Sequence, residues 1–373
     1  MPAQPAPTPF CEASACPWAS LIAGMDSAVT AGAAPGAVLG VSVGGVRHFH
    51  SSGRTGIDQP ARPGPSTVYD LASLTKVVAL TTLVMQAVDE GKLDLDRPVA
   101  DYLPAFAQNG KAAITTRLLL AHASGLPAHR PLWREAPDRE AALDLVLATP
   151  LDTTPGSRMV YSDLGAITVG LVVERVLGGD LASLARSRIF DPLGLTSTRY
   201  RPPKSWLPRV APTERDPWRG RIVHGEVHDE NAAFLGGVSG HAGLFGSVTD
   251  LIGFGEWLLR RYRNESRPGD PSLSASVVRE FTHQQQIVPG SSRALGWDTP
   301  SPNSSAGTRL DPSSFGHTGF TGTSIWIDPT RELVIVLLTN RVHPSRENAR
   351  IAPFRQMVAE RVVEALESRG SIR

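Results

Sequence analysis

Apolar positions follow two rhythms along this chain. From Gly36 to Val43, and again from Val46 to His50, they run nearly unbroken and rich in β-branched residues. The two runs meet at Gly44-Gly45, a pair suited to the tight turn of a hairpin. From Ser73 to Glu90 the period changes. Leu74, Val77, Val78, Thr81, Val84, Met85 and Val88 recur at spacings of three and four, the pattern of a helix with a buried face, and Gly91 closes it. Helical periodicity continues at about 114–122, 138–148, 163–177 and 181–189, punctuated by proline and glycine, and a first helix is expected over 17–31. Residues 200–243, rich in Pro, Gly, Arg and His, lose the period and read as a long loop system, a kind that often carries function. A helix returns at about 249–263. Ser324 to Asp328 and Glu332 to Leu338 form a second apolar pair across Asp328-Pro329-Thr330-Arg331, and Ala349 to Ser368 reads as a closing helix.

Strands therefore lie towards both ends, with helices between them. This predicts an α+β fold: an antiparallel sheet built from both chain ends, flanked by helices, with an inserted all-helical region. In residue terms, 1–16 is a flexible tail, about 17–70 and 290–373 form the sheet-bearing part, and about 71–289 is mainly helical and loop-rich. A site at the junction of the two parts is the natural expectation.

Composition removes several function classes. The chain has 373 residues, 41% hydrophobic and 20% charged, an ordinary globular balance. Its 37 basic and 36 acidic residues leave a net charge of +1, which is no footprint for nucleic acid or an anionic membrane. The basic run Arg260-Arg261-Tyr262-Arg263 reads as a solvated helix end. There is no run of 18 apolar residues, so no membrane span is expected. Residues 1–16 lack the basic and apolar segments of a signal peptide, so a cytoplasmic location is expected, or a periplasmic or exported one if the start codon is misassigned. Cys11 and Cys16 are expected to be reduced. Nothing specifies an oligomer.

The chemistry begins at Asp70-Leu71-Ala72-Ser73-Leu74-Thr75-Lys76. Ser73 and Lys76, three apart, share a helix face, and a desolvated lysine is able to take a serine's proton. Ser73 also opens the helix, which puts its backbone N–H where developing negative charge is stabilised. Tyr161-Ser162-Asp163, just before a helix, offers a phenol for proton transfer, although a helix cap is the plainer reading. His317-Thr318-Gly319 opens the C-terminal β region, and its glycine permits close backbone approach, so that the N–H of Phe320 joins that of Ser73 as an oxyanion hole. A rival of another class is a zinc hydrolase using His224, His228 and His241. It lacks the H-E-x-x-H order, and Gly225 argues against a helix holding the first two on one face. A non-catalytic ligand sensor would be expected to have lost Ser73, Lys76 or Tyr161, and all three are present.

In this order and over about residues 18–367, the three motifs resemble the S-x-x-K, Y-x-N and K-T-G elements of the serine β-lactamase and penicillin-binding protein superfamily, class C-like branch. Leu120-Ala121-His122-Ala123-Ser124-Gly125-Leu126-Pro127 and Pro155-Gly156 add to the resemblance. It implies that Ser73 is acylated, that Lys76 is its base, that Tyr161 shares proton transfer and helps deacylation, and that His317, Thr318, Gly319 and Phe320 flank the substrate. No cofactor is implied. Two positions depart from the pattern. Asp163 stands for the usual Asn, and a carboxylate beside Lys76 would keep the lysine protonated. His317 stands for the usual Lys, so its charge is expected to vary with pH near neutrality. Both argue against an efficient β-lactamase. The loop from Asp216 to Phe245 resembles the muropeptide-recycling N-acetylmuramyl-L-alanine amidases. There Arg219 or Arg221 would clamp a substrate carboxylate, unless they pair with loop acids such as Glu214 or Glu226. The expected function is a serine hydrolase acting through an acyl-enzyme on an amide or ester of a small-molecule or muropeptide-like substrate. A muramyl-peptide amidase is the specific expectation, and an esterase, D-amino-acid peptidase or weak β-lactamase are the alternatives.

Overall fold

A computed structural model describes residues 16–302 and 304–368, together with the backbone of Thr8 and Pro9. Most of the expected tail over 1–16 lies outside the described residues. The main sheet has the strand order Thr8–Pro9, Val46–Gly53, Gly36–Val43, Leu333–Thr339, Ser324–Asp328, Phe315–Thr318. All neighbours are antiparallel except Thr8–Pro9, which runs parallel to His48–Phe49. The two sequence-local hairpins join at the centre, where Leu333 faces Val43 and Thr339 faces Ala37.

The central strands read as unbroken apolar runs because both faces of the sheet are covered. Ala37, Leu39, Val41, Ile335 and Leu337 point towards the terminal helices Ala19–Thr30 and Ile351–Ser368, meeting Leu21, Met25, Val358 and Val362. Val38, Val334, Val336 and Leu338 point the other way, into a core shared with Leu251, Phe254 and Leu258 of Val248–Tyr262. That helix, which lies inside the middle region of the sequence, thus packs on the sheet.

Residues 73–90 are not the single α-helix that the periodicity predicts. A 3₁₀ turn, Ala72–Leu74, leads into a wide π-helical stretch, Lys76–Thr81, and only then into the α-helix Thr82–Asp89. At the end of the wide stretch the Thr82 hydroxyl, first residue of the α-helix, donates to the carbonyl of Val77, five residues back, at 2.9 Å. Such insertions cluster at functional sites. Ala72–Asp89 is long and apolar enough to cross a membrane by length and composition, with a mean hydropathy of 1.2, but 83% of it is buried within the protein, where it forms the core.

The helix Asp163–Leu177 begins at a side-chain cap, Ser162 accepting from Gly165, and ends at Gly178. The loop system over 200–243 holds the short pair Arg215–Asp216 and Arg221–Ile222 and the one-turn helix Glu230–Phe234. A three-stranded sheet pairs Val68–Asp70, Leu244–Ser247 and Arg199–Tyr200, and the helix Ala275–Thr282 is one of the elements that periodicity missed. The last edge strand is Phe315–Thr318, so His317 sits within it rather than at its start. Cys16 is disulfide-bonded, which corrects the expectation of a reduced thiol; the other cysteine lies outside the described residues.

Candidate active site

Ser73 is placed by a turn that the sequence builds around Asp70. The Asp70 carboxylate accepts from the N–H of Ala72 at 2.8 Å and from that of His228 at 2.6 Å. It thereby holds Ala72 at φ 46°, an uncommon backbone for a residue with a side chain. The end of the Phe315–Thr318 strand is then stitched to the same turn. Thr321 donates to the carbonyl of Asp70 at 2.7 Å and Thr323 to that of Leu71 at 3.0 Å. A Cβ on Gly319 would lie 2.5 Å from the Leu71 oxygen, so only glycine lets the strand approach this closely. Gly319 and Phe320 are thereby brought beside Ser73. Phe320 itself is 49% exposed, its ring lying 5.8 Å from that of His228.

Lys76 is buried and has three partners, Ser73 Oγ at 3.0 Å, Asp163 Oδ1 at 2.7 Å and the carbonyl of His241 at 3.0 Å. Three acceptors match the three protons of an ammonium. Burial works against the charge, but the Asp163 carboxylate and the neighbouring Tyr161 outweigh it and hold the lysine pKa above its ordinary value. The carbonyl of His241 reaches this point because Gly240 packs on the helix Asp163–Leu177, where a Cβ would meet the Ala166 oxygen at 2.2 Å.

Tyr161 lies across Lys76, whose Nζ is 4.9 Å from the ring centroid. A second cation, Arg293, stands 5.1 Å from the same ring. The rings of His122 and His317 are 4.4 and 5.9 Å from it. The phenol oxygen is buried without a hydrogen-bond partner.

His317 is the first correction. Its Nδ1 meets the carbonyl of Thr318 at 2.8 Å, and the ring is 3% exposed. Burial, with the nearby Arg293 and Lys76, holds its pKa well below the usual imidazole range. The ring is therefore neutral at pH 7, and the expected titration near neutrality does not occur. Cationic charge comes instead from Arg293, which sequence reasoning missed. Its Nε and Nη1 are buried without partners, and Asp298 approaches Nη2 only to 3.8 Å. No periodicity or motif marks this arginine; it stands in a polar loop and reaches Tyr161 only through tertiary packing.

The second correction concerns Arg219 and Arg221. Arg221 grips both oxygens of Glu226 at 2.7 Å, and Arg219 pairs with Asp216 at 3.2 Å. Both are engaged within their own loop. The three candidate zinc ligands also point apart. His224 bonds the carbonyl of Val210, His228 bonds Glu214 and His241 bonds Asp229. Among the described residues no group of three or more His, Cys, Asp or Glu side chains is arranged to hold a metal.

Ser73 opens on two cavities. One, of about 460 Å³, is walled by Trp133, Asp163, Asp229 and Glu230. The other, of about 310 Å³, is lined by Arg293, Thr318, Gly319, Arg341 and Arg355. Arg341 and Arg355 are tied to backbone carbonyls of Gly319, Phe320 and Thr323. Burial and the neighbouring Arg341 push the Arg355 pKa down to about 9. Arg293 keeps two unpartnered donors, Nε and Nη1, and Arg355 keeps one, Nε.

Comparison with known proteins agrees with this arrangement. The family model described as Beta-lactamase matches residues 22–360. A putative D-alanyl-D-alanine carboxypeptidase of Escherichia coli K12 is 34% identical over 318 residues, covering 77% of this chain and 72% of that one. A penicillin-binding protein homologue from Caulobacter crescentus superposes with a TM-score of 0.75 at 24% identity, covering 94% of this chain and 97% of that one. A class C β-lactamase from Rhodobacter sphaeroides gives 0.71 at 22% identity, with coverages of 92% and 99%. With its sheet built from strands of both sequence halves and its serine in contact with its lysine, the chain belongs to the β-lactamase family and is a serine hydrolase.

Proposed function

We propose that the protein hydrolyses the amide bond before a terminal D-amino acid that carries a free carboxylate. The observation that carries this reading is Arg293, a buried guanidinium with two unpartnered donors in the cavity beside Ser73. A carboxylate is the group that satisfies such a fork. The Escherichia coli relative's name points to the same substrate class. The muramyl-peptide amidase reading shares the acylation chemistry, but Arg219 and Arg221, which it would use to clamp a substrate carboxylate, are already engaged.

In this reading Lys76 stays an ammonium and orients Ser73 rather than deprotonating it. Tyr161, acting as a phenolate between the cations Lys76 and Arg293, takes the Ser73 proton as Oγ attacks the carbonyl carbon. The backbone N–H groups of Ser73 and Phe320 receive the oxyanion. The C–N bond breaks, Tyr161 returns the proton to the leaving amine, and an ester remains on Ser73. Water then attacks the ester, giving its proton to Tyr161, and Ser73 is regenerated as the acid leaves.

The test is a substrate panel of D-Ala-D-Ala peptides with free or amidated C-termini, muramyl-L-alanine peptides, p-nitrophenyl esters and nitrocefin. The free-carboxylate peptide is expected to be cleaved more than tenfold faster than its amide, the loss of a charged hydrogen bond being worth about 1.5–3 kcal/mol. Ser73→Ala is expected to abolish turnover and fluorophosphonate labelling while the fold survives. Equal rates on free and amidated peptides, or labelling at another residue, would overturn the reading.

A further inference from the structure

His122 sits where a glycine is the conformationally easy choice. The helix Thr116–Leu120 ends in a two-bond wrap, with the N–H of His122 donating to Leu119 at 3.2 Å and that of Ala123 to Leu118 at 2.9 Å. This closure requires a left-handed residue after the cap, and His122 takes it at φ 55°. Backbone strain in a residue with a large side chain points to a use for that side chain.

The use is visible on both sides of Tyr161. The carbonyl of His122 accepts from the N–H of Val160 at 2.8 Å, and its Nδ1 accepts from the N–H of Ser162 at 3.1 Å. The two bonds bracket Tyr161 from before and after, and the imidazole lies at 4.4 Å against the phenol ring. Because Nδ1 accepts a backbone proton, the ring is held as the Nε2–H tautomer. Burial, with Arg293 and Lys76 nearby, keeps it neutral by lowering its pKa well below the usual range.

We propose that His122 is a positioning residue of the acyl transfer, fixing Tyr161 by accepting from the Ser162 N–H through Nδ1 while its own backbone accepts from Val160. This rests on the acyl-enzyme reading above. The side chain touches neither Ser73 nor the reacting carbonyl, so its effect passes through the placement of Tyr161.

The test uses the full chain, a fluorophosphonate probe and two variants. His122→Gly keeps the left-handed backbone and removes Nδ1. His122→Asn also tolerates that backbone and returns an acceptor, Oδ1, at the same distance from Cβ. The maximal labelling rate of Ser73 is expected to fall about 100-fold in His122→Gly, the scale of a misplacement of about 1 Å, with the half-saturating probe concentration unchanged. In His122→Asn it is expected to return to within about tenfold of the parent. A purely structural role would predict no such recovery. If His122→Gly fails to fold, His122→Asn decides alone: labelling within tenfold of the parent supports the proposal, and a slower rate overturns it. His122→Asn as slow as a folded His122→Gly, or both at the parent rate, overturns the proposal while the acyl-enzyme reading stands. Absence of Ser73 labelling in the parent overturns both.

Discussion

Asp163→Asn tests whether the carboxylate beside Lys76 holds the lysine in its charged form. The carboxylate lies 2.7 Å from Nζ, in a pair whose side chains are 21% and 3% exposed. At an effective dielectric of about 20, unit charges at that distance attract by roughly 6 kcal/mol. Asparagine keeps an oxygen for the ammonium, so part of this survives; losing roughly half leaves about 3 kcal/mol. At about 1.4 kcal/mol per pH unit, that is a shift of about two units, inside the one to three usual for a neighbouring charge. The direction does not depend on which group takes the proton. Removing an anion favours both neutral Lys76 and ionised Tyr161. The rate of fluorophosphonate labelling should therefore reach its plateau about two pH units lower in the variant. The assay is the labelling rate measured from pH 5 to pH 10 in both proteins, with circular dichroism as a check on folding. Superimposed profiles, or a shift to higher pH, would refute the claim that the Asp163 carboxylate holds the lysine in its charged form.

Two further outcomes follow from the same electrostatics. Arg293→Ala should raise KM for peptides ending in a free carboxylate by about tenfold or more and leave neutral p-nitrophenyl esters within about threefold, the scale of one charged hydrogen bond; steady-state kinetics on the paired substrates checks it, and an equal effect on both would remove Arg293 from carboxylate binding. His122 and His317 are both buried with lowered pKa values. Below about pH 6.5 the unfolded chain binds protons that these folded rings refuse, so stability is complete above that pH and falls as the pH drops below it, by about 1.4 kcal/mol per unit for each ring. Urea midpoints should be lower at pH 5 than at pH 7, and His317→Gln should weaken that dependence; a dependence unchanged in the variant would contradict the neutral assignment.

Local pattern carried much of the fold. Gly36–Val43 and Ser324–Asp328 are legible because strands buried on both faces print unbroken apolar runs, and Asp163–Leu177 because its cap and its period agree. The pairing of Leu333 with Val43 is not written in either segment, since strand partners far apart in sequence are chosen by the whole core. The Ser73–Lys76 contact was legible because three residues of helical backbone bring the two together. The charge of His317 was not, because burial belongs to the folded chain and not to the tripeptide. For Arg219 and Arg221 the sequence offered both a substrate carboxylate and loop acids as partners, and the fold chooses the acids, Asp216 for Arg219 and Glu226 for Arg221. Arg293 carried no local signal, and its nearness to Tyr161 is a product of packing alone.

The seam between Gly36–Val43 and Leu333–Thr339 also governs when the molecule becomes dangerous to its surroundings. An acylating serine is an indiscriminate reagent if it is activated before its specificity is in place. Here Ser73 leaves the ribosome early, yet the Thr321 and Thr323 bonds that lock its turn, and the arginines that line its cavity, arrive some two hundred residues later or more. Pairings so distant in sequence form late in folding. The topology therefore acts as a time lock: reactivity and selectivity are delivered together, by segments that lie more than two hundred residues beyond Ser73.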